Sequence, residues 1–210
     1  MKRIDRSDAV CMIAAIVLLI MSVMSYIGDE RMGYQVNTGL FCAVICLVPM
    51  IFRQFNIMQL PFVFVVLIEV SIFLHAYGVL LLKYDLLVMY DTLTHTVSSI
   101  TVALCVFYAL MAVEIFDPKT KFTPKWIPMF IAMIMLTFSV YWEVFEFFVD
   151  EFTGTNMQYS PWDTVRDMLC NTFGALLVTI SSRYYLRNHT CVAFIDSLRI
   201  HPKLKKYLSK

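Results

Sequence analysis

Charge is what this sequence has least of. Only 16% of its 210 residues are Asp, Glu, Lys or Arg, where a soluble domain carries roughly a quarter. Hydrophobic residues reach 60%, which excludes a water-soluble globular domain for most of the chain. Polar stretches long enough to fold as separate domains are also missing. The six cysteines (Cys11, Cys42, Cys46, Cys105, Cys170 and Cys191) form no CxxC pair, so neither a zinc ribbon nor a disulfide framework is supported. They read as small core-filling residues. No small-x-small cleavage site follows the first apolar run, itself about 19 residues and longer than a signal-peptide core. That run is expected to be retained as a first span. There is no internal repeat, no low-complexity tract, and no pair of spans interrupted by Gly or Pro.

What is present falls in apolar blocks of about 17 to 24 residues, roughly the length a helix needs to cross ~30 Å of hydrocarbon. The blocks are Ala9–Ile27, Gly39–Phe52, Pro61–Leu82, Tyr90–Val113, Trp126–Val149 and Asp163–Leu186. The second, at 14 residues, falls short of that range. The expected fold is all-α, a polytopic transmembrane helical bundle of about six spans covering residues 1–186. Lys and Arg divide unequally between the alternate ends. One side holds Lys2, Arg3, Arg6, Arg53, Lys119, Lys121, Lys125 and seven more from Arg183 to Lys210, 14 in all, against Arg31, Lys83 and Arg166. Positive residues stay inside, so both termini are expected in the cytoplasm and the protein in the plasma membrane.

Trp126, Trp142, Trp162, Tyr184 and Tyr185 lie near the span ends and read as an interfacial belt. Ser160-Pro161-Trp162-Asp163 has the form of a helix start, with Ser160 capping and Asp163 closing a capping box. The basic tail, residues 187–210, mixes apolar and cationic positions. It suits either an interfacial helix on anionic lipid or a solvated tail. Membrane lipids are the expected partners, with no nucleic acid.

Ionisable residues inside spans are costly, at least about 2.5 kcal/mol near a helix centre, and here they are not scattered. Asp91 and His95 share one face of the fourth span. Glu143 and Glu146 lie in the fifth, with Ser139 before and Asp150 after on the same stripe. Asp163, Asp167 and Asn171 follow at every fourth position in the sixth, then Gly174. The topology brings all three sets to the outer half of the membrane. Asp91 and Asp163 have a simpler reading as helix N-terminal charges. Glu143 and Glu146 do not, because they sit toward the negative end of their helix, Glu143 about six residues or ~9 Å from the span end. Five carboxylates with Arg166 and His95 as the only cations require protonation or a bound cation. Glu69 and His75, in the third span, share a face poorly and are read as packing residues outside this group.

Tyr90-Asp91-Thr92-Leu93-Thr94-His95, Trp142-Glu143-Val144-Phe145-Glu146 and Trp162-Asp163-Thr164 with Asp167-Met168 resemble the YjdF-like family of inner-membrane proteins. More distantly, the order of motifs is similar to VanZ-like proteins, with Asp167, Asn171 and Gly174 matching their Asp-x-x-x-Asn-x-x-Gly. VanZ-like proteins carry Glu-x-x-Gln where this chain has Glu143 and Glu146. The VanZ-like resemblance implies a role at the cell envelope connected with glycopeptide resistance. The YjdF-like resemblance supports the site residues without implying an activity.

The leading expectation is a metal-assisted hydrolase or transferase on a lipid-linked envelope substrate. In it Asp91, His95, Glu143 and Asp167 hold a divalent ion, Glu146 and His95 act in acid–base catalysis, and Asn171 and Asp163 bind or orient the ligand. Two alternatives stay open: a small transporter coupled to protons or cations, and a non-catalytic envelope factor whose polar network locks helices together.

Overall fold

The computed structural model describes residues 3–28, 33–87, 89–116, 119–123 and 125–188, with 198, 200 and 202. Among these residues there are eight helices and no strand: α1 (Arg6–Gly28), α2 (Gly33–Ile45), α3 (Val48–Gln54), α4 (Phe62–Leu80), α5 (Lys83–Leu86), α6 (Tyr90–Phe116), α7 (Ile127–Thr153) and α8 (Pro161–Asn188). The all-α expectation holds. Among the described residues, five segments are long and apolar enough to cross a membrane: α1, α2 with α3, α4, α6 and α7. The sixth expected span falls on α8, which is 28 residues long and so spans about 42 Å. Its charges lie toward its ends, and residues 168–182 carry none. The expected interfacial helix of the tail lies almost entirely outside the described residues.

The chain forms two units, residues 1–90 with 192–210, and residues 91–191. In the first, α1, α2 and α4 pack around Ala15, Leu18, Cys42, Cys46, Ala76 and Leu80. Asp5 caps α1 by accepting from the Ser7 and Asp8 amides at 2.9 and 3.0 Å. Asp8, fully buried, accepts from Arg53 Nη1 at 2.5 Å and from Gln54 Nε2 at 2.8 Å. Arg53 Nε also pairs with Asp5 at 2.7 Å. This ionic knot ties the start of α1 to the end of α3. Glu69 on α4 is buried against the thiols of Cys11 and Cys46, and His75 Nδ1 lies 3.1 Å from the Tyr84 hydroxyl.

The second span differs from expectation. It runs 22 residues, Gly33–Gln54, and is broken at Cys46–Leu47 between α2 and α3. Pro49 stands in the first turn of α3. Lacking an N–H, it cannot bond the Ile45 carbonyl, so the ladder stops there and restarts one turn on. Apolar length alone located the middle of this span. The polar first turn, Tyr34-Gln35-Val36-Asn37-Thr38, is helical as well.

In the second unit α7 also runs past its expected end. It continues through Asp150-Glu151-Phe152-Thr153 and stops at Gly154, which takes φ +68°, a left-handed conformation that glycine adopts without strain. Asp150 holds the turn beyond by accepting from Thr155 Oγ1 at 2.8 Å and from the Met157 and Gln158 amides at 2.7 and 2.9 Å. Along α7 the buried positions are Ile127, Ile131, Met135, Ser139, Glu143 and Glu146. That is one stripe, apolar for its first half and polar for its second. The opposite faces expose Met133, Leu136, Val140, Val144 and Phe148, an apolar surface suited to lipid rather than water.

Candidate functional site

Every residue that the sequence singles out as a site candidate lies in the second unit, on α6, α7 and α8. Asp91 and His95 occupy adjacent turns of α6, and His95 Nε2 stands 3.3 Å from Asp91 Oδ1. The same nitrogen is 3.9 Å from Asp167 Oδ2 on α8. Ligand atoms of Asp91, His95 and Asp167 all lie within 4.8 Å of one another. They are the only such group of three among the described residues.

The other ring nitrogen, His95 Nδ1, faces Asn171 Oδ1 at 3.4 Å. Asn171 in turn donates through Nδ2 to Ser139 Oγ on α7 at 3.1 Å. All three helices are therefore linked through Asn171, with His95 of α6 on one side of its amide and Ser139 of α7 on the other. Where α8 crosses α6, Gly174 leaves room: a Cβ there would collide with Ser99 Oγ and lie 2.9 Å from the Thr96 carbonyl oxygen. The glycine of the Asp-x-x-x-Asn-x-x-Gly pattern is thus what lets Asp167 and Asn171 approach His95.

Asp163 has both of its expected characters. Its amide donates to Ser160 Oγ at 3.2 Å, and its Oδ2 accepts from the Tyr159 amide at 3.3 Å, a reciprocal helix start. Its Oδ1 also pairs with Arg166 Nη2. That same Nη2 reaches Asp91 Oδ2 at 3.0 Å, and Arg166 Nε lies 3.7 Å from Asp167 Oδ1. Arg166 thus stands among three aspartates.

The glutamates sit apart from the triad. Glu146 Oε1 accepts from Trp142 Nε1, one turn back, at 2.8 Å. It is near enough to His95 and Glu143 for their charges to act on it. Glu143 is buried, and neither of its carboxylate oxygens has a hydrogen-bond partner. Gln158 Nε2 bonds its main-chain carbonyl at 2.9 Å. Because α7 extends to Thr153, Glu143 is ten residues from the helix end, about 15 Å. The helix dipole fades within the last turn, so burial and not the dipole is what makes this carboxyl costly. Asp150 is spent on the loop after α7 and does not join the group.

Three partnerships are not foreshadowed by the sequence reading: Trp142 with Glu146, Ser139 with Asn171, and Arg166 with Asp91. Spacing could have suggested the first, since the two residues are four apart on one helix. The others join different helices and leave no sequence signal.

Fold and site together define a multi-pass α-helical membrane protein with a buried acidic and histidine cluster joining three helices. The chain belongs to the family described as "Predicted membrane protein (DUF2238)", whose profile matches residues 10–188. This accords with the YjdF-like resemblance; nothing in the match bears on the VanZ-like one. Neither curated proteins nor solved structures gave a match.

Proposed function

We propose that Asp91, His95 and Asp167 hold a divalent metal ion, and that the protein is a metal-assisted hydrolase or transferase acting on a lipid-linked envelope substrate. The carrying observation is the mutual approach of the three ligand atoms within 4.8 Å. Charge supports it. Asp91, Glu143, Glu146, Asp163 and Asp167 are all buried, and Arg166 and His95 are the cationic groups among them. Like charges so confined are relieved either by protonation or by a bound cation, and an ion relieves all of them at once. Two carboxylates and one imidazole suit Mn2+, Fe2+ or Zn2+ better than Ca2+, which prefers oxygen alone. Three protein ligands also leave positions for water and substrate.

An ion held there supplies Lewis acidity and activates a water. The chain's own groups supply the rest. Glu146, oriented by Trp142, acts as general base, and Glu143, with its oxygens free of hydrogen bonds, serves as a further donor. Asp163 holds the Arg166 guanidinium beside Asp91. In this reading the termini are cytoplasmic, the membrane is the plasma membrane, and the cluster lies in its outer half, following the 14 to 3 division of Lys and Arg.

The Arg166 pairs and the His95–Asn171–Ser139 chain favour a second reading, a non-catalytic factor with a structural network. Against it stands Glu143, whose buried carboxylate oxygens make no close hydrogen bond, since a network built only for structure satisfies its members. The transporter reading has less support. The single break beside Pro49 has no counterpart among the described residues of the second unit, and discontinuous helices in transporters come in pairs.

Elemental analysis of the purified protein tests the proposal. Near-stoichiometric metal is expected, lost in Asp91→Asn and in Asp167→Asn and reduced in Glu143→Gln. Metal-free protein whose thermal unfolding ignores added Mn2+ and Zn2+ would overturn it.

A further inference from the structure

Trp142 belongs to two environments at once. It is 39% exposed and stands on α7, a segment long and apolar enough to cross a membrane. Phe145, Phe148 and Phe152 follow it at spacings of three and four, along one side of the helix. All three are exposed as well, and the Trp142 and Phe145 rings lie 5.6 Å apart. A tryptophan in an interfacial belt ordinarily has its apolar body in lipid and its N–H toward water and headgroups. Trp142 turns that N–H inward instead, donating to Glu146 Oε1 at 2.8 Å. Glu146 is buried, so the indole reaches from the exposed aromatic ridge to the carboxyl assigned as general base.

The end of α7 is closed more firmly. The loop after Gly154 is held at two levels of the same stripe. Asp150 accepts from Thr155 Oγ1 and from the Met157 and Gln158 amides, and Gln158 Nε2 donates to the Glu143 carbonyl oxygen. Glu146 lies between those levels in the sequence. Opening this side breaks four hydrogen bonds, whereas turning the indole aside breaks one. The aspartates are bordered by Arg166, whose side chain is 37% exposed. Water is thus offered to the aspartates and hydrocarbon to the glutamate, an arrangement suited to an amphiphile.

We propose that a membrane lipid enters this site sideways past Trp142, its polar head reaching Glu146 while its hydrocarbon chain stays against Phe145, Phe148 and Phe152. The ridge is built of aromatic side chains without charge, on a membrane-spanning helix, so a hydrocarbon chain and not a soluble ligand is its occupant. The inference rests on the reading above in taking Glu146 as the group a substrate must reach. It does not depend on the metal.

Two carbodiimides of opposite solubility test the route, on the full chain in phosphatidylglycerol–phosphatidylethanolamine vesicles. Lipid-soluble dicyclohexylcarbodiimide and a water-soluble cationic carbodiimide both modify carboxyls, and peptide mass spectrometry reads the extent at Glu146. The lipid-soluble reagent is expected to react there in preference to the water-soluble one, and Trp142→Ala should raise its rate several-fold. Trp142→Phe, which loses the N–H but keeps a ring, should stay near wild type, and so should Gln158→Ala, which loosens the loop. An equal rise in Trp142→Phe would mean that the hydrogen bond and not the ring governs the reaction, and would overturn the inference. So would a matching rise in Gln158→Ala, a preference for the water-soluble reagent, or no reaction of Glu146 even in Trp142→Ala. The chain's place is read from Trp142 fluorescence in protein carrying Trp126→Phe and Trp162→Phe. Quenching by lipids brominated on the acyl chain is expected, and quenching by aqueous iodide alone would count against the ridge. If Trp142→Ala does not fold, the reagent preference of wild type and the quenching decide. Wild type that binds no metal would defeat the metal reading and leave each of these outcomes as stated.

Discussion

Arg166 Nη2 on α8 lies 3.0 Å from Asp91 Oδ2 on α6. The same nitrogen pairs with Asp163 three residues back on its own helix, so one guanidinium holds two helix starts together. Arg166 is itself 37% exposed at the side chain, and solvent screening therefore discounts the pair. Arg166→Met should lower stability by about 1–2 kcal/mol, the range for hydrogen bonds to charged groups with that discount. Added divalent ion should restore part of the loss if a metal occupies the cluster, because the ion then replaces the missing positive charge. Thermal unfolding with and without Mn2+ measures both effects.

Asp8 and Arg53 give a sharper case, because Asp8 is fully buried. Arg53→Met leaves Asp8 with only Gln54 as a side-chain donor. Breaking a buried pair from one side costs about 3–5 kcal/mol. Replacing both, as Asp8→Leu with Arg53→Met, should be less damaging than Arg53→Met alone, since no charge is left buried and unpaired. A double-mutant cycle in detergent checks the sign, and additive losses would argue against coupling.

Gly174 has no space for a side chain. Gly174→Ala should destabilise by about 1–3 kcal/mol, the usual cost of overpacking, and should weaken metal binding by moving Asp167 away from His95. Ser99→Gly added to it should recover only part of the loss. It removes the hydroxyl that the new Cβ meets but not the Thr96 carbonyl oxygen at 2.9 Å, which belongs to the backbone.

Topology is open to direct labelling. In a cysteine-free background, a single cysteine at Asp85, exposed on α5, should react with an impermeant thiol reagent in intact cells. A cysteine at Lys119, also exposed, should react only after the membrane is opened. The reverse pattern would invert the orientation and move the cluster to the cytoplasmic half.

Much of this architecture is a property of the chain read locally. Apolar blocks mark the helices because hydrocarbon tolerates no unpaired backbone polar group. The Ser160 helix start and the α7 stripe are set by spacing within one helix, where the fourth residue on always returns to the same face. For that reason spacing alone groups Asp91 with His95, Ser139 with Glu143, and Asp163 with Asp167 and Asn171. Helix ends are less legible. Pro49 breaks the second span, and α7 runs on to Gly154, because hydrogen bonding and not hydropathy decides where a helix stops.

How each stripe is turned toward its neighbours was a matter for the tertiary structure alone. Rotation of a helix about its own axis follows from packing against others, and no periodicity within it records that angle. So the sequence alone determined a membrane bundle with three polar stripes at a shared depth. The folded chain decided that Asp91, His95 and Asp167 close on one point while Glu143 stays outside that trio. It also decided that Asp150 is consumed by its loop, and that Arg53 reaches Asp8 across 45 residues. Contacts between helices depend on close approach, and in α8 that approach hangs on the missing Cβ of Gly174.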